Sequence, residues 1–184
     1  MSSMPIMYVA LLRGVNVGGK NKLPMKDLVE LFTETGCLQV SSFIQSGNVI
    51  FSAAPGVAAK LPALIPGRIA KRFGFSPPVQ VRSVNELSEV VAENPFLKSG
   101  LAEESLHVLF LADKPSPGAI AKLDPDRSPP DHFIVQRQEV YLHLPGGAGT
   151  TKLTNAYFDA KLATVSTGRN WRTVKKLLEL MQAS

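Results

Sequence analysis

One cysteine, Cys37, is present in 184 residues. No disulfide can close within such a chain, and a reducing compartment is the expected setting. Histidine is almost as scarce: His107, His132 and His143 are scattered without metal-ligand spacing, and Cys37 stands alone beside Gly36. That pattern disfavours zinc and a cysteine nucleophile, so neither metal nor cofactor is expected. No apolar run approaches the roughly 18 residues of a membrane span, and Met1 to Pro5 has neither a basic n-region nor a signal-length apolar stretch. The expectation is a cytoplasmic protein without a membrane partner. Aromatic residues make up 7% of the chain, and Tyr8 and Phe51 are isolated, with no RNP-like pattern around them. A sheet that stacks RNA bases is therefore not expected.

What is present is an apolar fraction of 45% and a charged fraction of 19%, ordinary for a folded domain. The length suffices for one domain or for two small half-domains. The net charge of +5 is segregated: residues 1–82 carry nine Lys and Arg against three Asp and Glu, residues 83–149 five against ten, and residues 150–184 six against two. Basic ends folded together would offer phosphates or nucleic acid an electropositive face; the alternative is solvated surface charge.

Ile6 to Leu12 is an apolar run that predicts a buried strand. Met25, Leu28, Val29 and Phe32 then repeat at helical spacing, with Pro24 at the start and Gly36 as a stop. Val40 to Ile44 and Asn48 to Phe51 bracket a hairpin turn at Gln45-Ser46-Gly47. A helix with Leu61, Leu64, Ile65, Ile69 and Phe73 on one face ends at Gly74, kinked or late in starting because of Pro62 and Pro66. Val79 to Val81 supplies the next strand. The order β-α-β-β-α-β is that of a split βαβ, ferredoxin-like unit over residues 1–82.

Ser83-Val84-Asn85-Glu86 has the form of a capping box and opens a linking helix. Leu106 to Leu111, a short helix over Gly118 to Leu123, a hairpin of Phe133 to Val135 with Val140 to Leu144, and closing helices over Leu153 to Leu162 and Trp171 to Met181 follow. The predicted fold class is α+β: two ferredoxin-like half-domains packed together, with antiparallel sheets and helices on one face, divided as 1–82 and 83–184.

Chemistry concentrates in three stretches. Arg13 to Pro24 holds three glycines, two asparagines, an arginine and two lysines, with no acidic residue. Gly14 to Asn21 comes within one residue of the Walker A pattern, with Asn21 in place of the magnesium-binding hydroxyl. A phosphate-cradling P-loop is disfavoured, because Pro24 delays the helix and a hairpin follows. An anion-binding loop near a helix N-terminus fits better, and a plain glycine loop that turns the chain is the alternative. Leu144 to Lys152 is a second glycine-rich loop in which Thr150 or Thr151 caps the next helix and Lys152 lies in its first turn, where an anion would offset the lysine. In Thr167 to Arg172, Arg169, Arg172 and Lys176 fall on one helix face, while Trp171, Val174 and Leu178 form an apolar one that assigns Trp171 to the core. Tyr157 and Lys161 are spaced as in short-chain dehydrogenases but lack the glycine fingerprint that should accompany them. Ser46 lacks the flanking glycines of a nucleophile elbow.

The segments ALLRGVNVGGKNKLPM, FIQSGNVIF, ENPF, VYLHLPGGAGTTKLTNAYF and TGRNWRTV resemble the bacterial family catalogued as domain of unknown function 1697, from about Tyr8 to Leu177. The resemblance implies an α+β fold, a cytosolic location and no established activity. The one departure is at Thr150 or Thr151, where the family more often has serine or arginine.

The functional expectation is a binding protein for a phosphate-bearing small molecule or nucleic acid. Its ligand contacts are Arg13, Asn16, Gly18, Gly19, Lys20, Gly146, Gly147 and Lys152, supported by Arg169 and Arg172. The alternatives are an enzyme acting on a small phosphorylated or carboxylated metabolite, with Lys152 or Tyr157 in proton transfer, and a homodimer without ligand.

Overall fold

The computed structural model describes residues 3–184. Strand β1 (Ile6–Leu12) leads through the first glycine loop into α1 (Met25–Thr33), followed by the hairpin β2 (Leu38–Phe43) and β3 (Asn48–Ala53). A short α2 (Pro55–Ala58), the longer α3 (Leu61–Phe73) and β4 (Val79–Ser83) complete a four-stranded antiparallel sheet of order β2-β3-β1-β4. Helices α4 (Val84–Ala92) and α5 (Pro95–Lys98) precede β5 (Leu106–Leu111), α6 (Pro117–Ile120), β6 (His132–Gln136), β7 (Glu139–His143), α7 (Asn155–Leu162), β8 (Ser166–Asn170) and α8 (Trp171–Ala183). Their strands pair antiparallel in the order β6-β7-β5-β8, the same topology again. The predicted α+β class with two ferredoxin-like halves is present. By internal contact the chain divides into one unit that runs through Ser88 and takes in Lys176–Ser184, and a second of Glu89–Lys175.

In the first unit, α1 and α3 cover one face of the sheet. Leu28, Leu31 and Phe32 of α1 and Leu61, Ile65 and Ile69 of α3 form one core with Tyr8, Ala10, Leu12, Val49, Phe51 and Val79. The alternate residues Val9 and Leu11 are buried too, which is why β1 reads as a continuous apolar run instead of an alternating one. Of the two prolines in the third helical stretch, Pro62 falls in the first turn, where its missing N–H costs nothing, and only Pro66 lies inside the helix. The helix therefore starts late. The capping box forms as predicted: Ser83 N donates to Glu86 Oε2 at 2.7 Å and Glu86 N to Ser83 Oγ at 3.2 Å.

In the second unit, α6 and α7 lie over Leu109, Leu111, Val140, Leu142 and Phe133, with Tyr157, Phe158 and Leu162 from α7 in the same core. Two expectations are corrected here. The helix cap is Thr154, whose side chain accepts from Tyr157 N, and not Thr150 or Thr151, so Lys152 precedes the helix instead of entering its first turn. Arg169 lies on β8, an unforeseen strand, and α8 begins only at Trp171. Arg169 and Arg172 therefore do not share a helix face. Trp171, by contrast, is fully buried, as its spacing predicts.

Gly47 and Gly74 both adopt left-handed φ, +83° and +81°, but a Cβ at residue 47 would stand 2.9 Å from the Leu12 Cβ whereas none would be met at residue 74. Gly74→Ala should cost about 1–2 kcal/mol, the penalty of the left-handed region alone. Gly47→Ala adds a clash that cores resist, for a total of roughly 2–5 kcal/mol. Urea denaturation of the two variants should rank them in that order; equal losses would show that the Leu12 contact is relieved at no cost.

Candidate functional site

The glycine loop of the first unit is folded on itself. Gly18 and Gly19, with φ of +57° and +75°, are the central residues of a tight turn that Lys20 N closes by donating to Val17 O at 3.0 Å. Asn16, itself at φ +56°, spends its whole side chain on the loop. Its Nδ2 donates to Leu23 O and to Gln45 O, both at 2.9 Å, and its Oδ1 accepts from Leu23 N at 2.8 Å. Asn21 Nδ2 adds a bond to Gly14 O. The asparagines are thus staples that hold the loop to the β2–β3 turn, and Lys20 lies exposed at the tip. Because the chain turns back through residues 17–20 and α1 starts at Met25, the near-Walker sequence does not build a helix-capping phosphate cradle. Arg13 anchors the base of the loop, its backbone N donating to Pro78 O at 3.0 Å.

The second glycine loop joins β7 to α7. Gly147, at φ +81°, closes its first turn by donating to Leu144 O at 2.9 Å. Farther on, Lys152 is held by its backbone: its N donates to Ser128 Oγ and its O accepts from Arg127 Nε, both at 3.0 Å. Its ammonium is solvent-exposed. Tyr157 belongs to the core. Its hydroxyl accepts from Asp124 N at 2.8 Å, and the Arg127 guanidinium stands 4.0 Å over its ring, an arrangement that positions a loop.

Beside this loop lie two adjoining cavities that share His107, Ala148 and Asn170. The first, of about 330 Å³, is walled by Leu109, Leu142, Leu144 and Leu153, with Thr154, Asn155 and Arg169 at its polar edge. The second, of about 360 Å³, is bounded by Glu103, Glu104, Gly147, Trp171, Arg172 and Lys175. Two helix N-termini border the pair. Thr154 caps α7, and Asn170 Oδ1 caps α8 by accepting from Thr173 N at 2.8 Å. Gly168 allows the approach of β8, since a Cβ there would come within 2.9 Å of Leu109 Cδ2.

The structure therefore brings Gly147, Arg169 and Arg172 to one place and leaves Lys152 outside both cavities. Gly146 belongs to the same loop, while Arg13, Asn16, Gly18, Gly19 and Lys20 belong to the other unit. Sequence reasoning missed His107, whose position opposite Asn170 follows only from the β5–β8 register.

Burial sets the electrostatics. It pushes the Arg169 pKa down to about 10, so the guanidinium is still charged at neutral pH. Burial also lowers the His107 pKa, opposed by a backbone hydrogen bond at Ser105, so the imidazole is neutral at pH 7. Lys175 is paired with Glu103, and Arg172 makes no ion pair among the described residues. No group of His, Cys, Asp or Glu among the described residues is arranged to hold a metal ion, and no helix among them is long and apolar enough to cross a membrane.

Two outcomes follow from this geometry. Asn16→Ala strands the Leu23 N–H and two carbonyls and should cost roughly 1–3 kcal/mol in chemical denaturation; a smaller change would mean that water replaces the side chain. For His107, folding favours the neutral form, so its stabilising effect is complete above the unfolded pKa of about 6.5 and is lost as pH falls below it, where only the unfolded chain binds the proton. His107→Gln should therefore flatten the fall of stability with pH below about 6.5 relative to the parent protein. Parallel curves would show that His107 titrates as in the unfolded chain.

Comparison with known proteins adds identity without chemistry. No curated protein matches the chain. A solved structure, that of the conserved bacterial protein SP0830 from Streptococcus pneumoniae, superposes with a TM-score of 0.70 at 21% identity, over 97% of this chain and 99% of that one. At that identity the likeness establishes the shared fold. Residues 6–141 match a family model, and the chain accordingly belongs to the family described as protein of unknown function (DUF1697).

Proposed function

We propose that this protein binds a small molecule carrying an oxyanion, a phosphate ester or a carboxylate, at the glycine loop between β7 and α7. The observation that carries the reading is the convergence of Arg169, Arg172, Gly147 and two helix N-termini on adjoining cavities of 330 and 360 Å³. Cavities of this size, apolar on one side with a few polar groups at the edge, fit the range of roughly 300–1,000 Å³ that small-molecule sites occupy. Nucleic acid fits less well. The tryptophan that would serve as a stacking platform is fully buried, and the sites are concave instead of an extended basic groove. A proton-transfer role for Tyr157 or Lys152 is also less well supported, because the Tyr157 hydroxyl is already engaged and Lys152 borders neither cavity. Arg13 and Lys20 with Gly18 and Gly19 form a separate basic turn in the first unit, whose part in binding Lys20→Ala would measure.

Calorimetric titration of the full chain with phenyl phosphate and with hexanoate, alongside anisotropy with a labelled single-stranded RNA, tests the reading. Saturable binding of at least one small probe, weakened about tenfold in Arg172→Ala (about 1.4 kcal/mol) and unchanged in Lys20→Ala, is the expected result. RNA binding that falls steeply with salt and is lost in Lys20→Ala, without small-molecule binding, would overturn it in favour of a phosphate-backbone binder.

A further inference from the structure

A third cavity, of about 440 Å³, lies wholly within the first unit and shares no residue with the site described above. Strand alternation builds its floor. Ile6 and Tyr8 of β1 and Val81 and Ser83 of β4 fall on one face of the sheet, with Tyr8 directly opposite Ser83 in the register. Pro55 and Ala58 of α2 and Pro62 of α3 form a wall with no long side chain to fill the space, and Glu86 of α4 stands at the polar edge. Ile6 is 39% exposed and would be covered by an apolar ligand.

Three polar groups meet this floor with hydrogen-bonding capacity left over. Tyr8 is only 8% exposed and stacks on Phe51 at 5.7 Å between ring centroids. Its hydroxyl nonetheless keeps access to the cavity and makes no hydrogen bond among the described residues. Ser83 Oγ accepts from Glu86 N and retains a second lone pair. Glu86 accepts from Ser83 N through Oε2 and makes no ion pair among the described residues, so its other oxygen and its charge remain available. No other charged residue lines the cavity among the described residues. The start of α4 beside Glu86 carries about half a positive charge, which the full charge of the carboxylate exceeds. Burial, and then the Glu86 charge, hold the Tyr8 phenol above its ordinary range, so it is a neutral hydroxyl at pH 7. A cation suits this balance and an anion does not. A primary ammonium, moreover, brings three donors to three acceptors.

We infer that this cavity binds a small apolar amine: its ammonium donates to Tyr8 Oη, Ser83 Oγ and the Glu86 carboxylate, and its hydrocarbon body covers Ile6 and Val81 against Pro55 and Pro62. The volume falls within the roughly 300–1,000 Å³ of small-molecule sites. The inference is independent of the oxyanion site, from which it differs in unit, in residues and in the sign of the charge it takes.

The chain has three tyrosines, Tyr8, Tyr141 and Tyr157, so protein labelled with ¹³C at the tyrosine Cζ gives one resonance for each. Tyr8→Phe, which keeps the ring on Phe51, assigns the first by its loss. Hexylamine, hexanol and hexanoate are titrated into the full chain at pH 7, where the amine is protonated. The expected result is a Tyr8 shift that saturates with hexylamine, with hexanol and hexanoate at least tenfold weaker at that resonance. Glu86→Gln, at an exposed position and with an amide oxygen that still accepts from Ser83 N, should weaken hexylamine about tenfold by calorimetry. A Tyr8 resonance that hexylamine leaves in place would overturn the inference. So would equal shifts with hexanol, which mark apolar contact alone, or hexylamine binding undiminished in Glu86→Gln. None of these outcomes bears on the oxyanion site, which Arg172→Ala reports.

Discussion

Leu109 of β5 stands opposite Gly168 of β8, where a Cβ would come within 2.9 Å of the Leu109 Cδ2 methyl. The β5–β8 ladder sets the register of the edge strand, and that register places much of the candidate site. It sets Asn170 opposite His107, directs Arg169 to a position where burial depresses its pKa, and delivers the chain to α8 beside the glycine loop. A strand shifted by one residue would turn every one of these side chains to the other face of the sheet. The loop on the far side is held as firmly, by backbone bonds from Lys152 to Arg127 and Ser128 and by the Thr154 cap. The cavities are the space left between two segments whose positions are each determined by hydrogen bonds.

Most of the fold was legible in the sequence, because it depends on periodicity. The apolar run of β1, the helical spacing of α1 and α3, and the turn glycines Gly47 and Gly74 each state a local preference that the tertiary structure respects. The β8 strand was not legible. Ser166-Thr167-Gly168-Arg169-Asn170 has little apolar character, and it is a strand only because β5 offers it an open edge. Reading past it drew Arg169 into a helix that begins two residues later. The cap at Thr154 was hidden for a similar reason: five hydroxyl or glycine residues precede it in the loop, and any of them has capping chemistry.

The site was legible as composition and not as geometry. Glycines, arginines and lysines marked the right loop in the second unit, but what distinguishes Arg172 from Lys152 is which cavity each borders. Asn16 is instructive in the same way. An asparagine in a glycine-rich basic loop is a reasonable ligand contact by type, yet its three hydrogen bonds commit it to holding the loop closed. An orphaned nitrogen such as Trp171 Nε1 has no signature in sequence, since a polar atom lacks a partner only once the fold has placed everything else around it.

The two glycine-rich loops look alike, and the two units repeat one topology, so it is natural to treat the loops as counterparts. They are not. The first follows β1, the opening strand of its unit, and the second follows β7, the third strand of its own. In an antiparallel sheet of this order the opening and third strands are neighbours that run in opposite directions, so their exits lie at opposite ends of the sheet. Superposing one unit on the other would carry the Lys20 turn away from the Gly147 turn and not onto it. The internal symmetry of the fold stops at the scaffold, and each unit carries its glycine-rich turn at an end that the other closes with different residues.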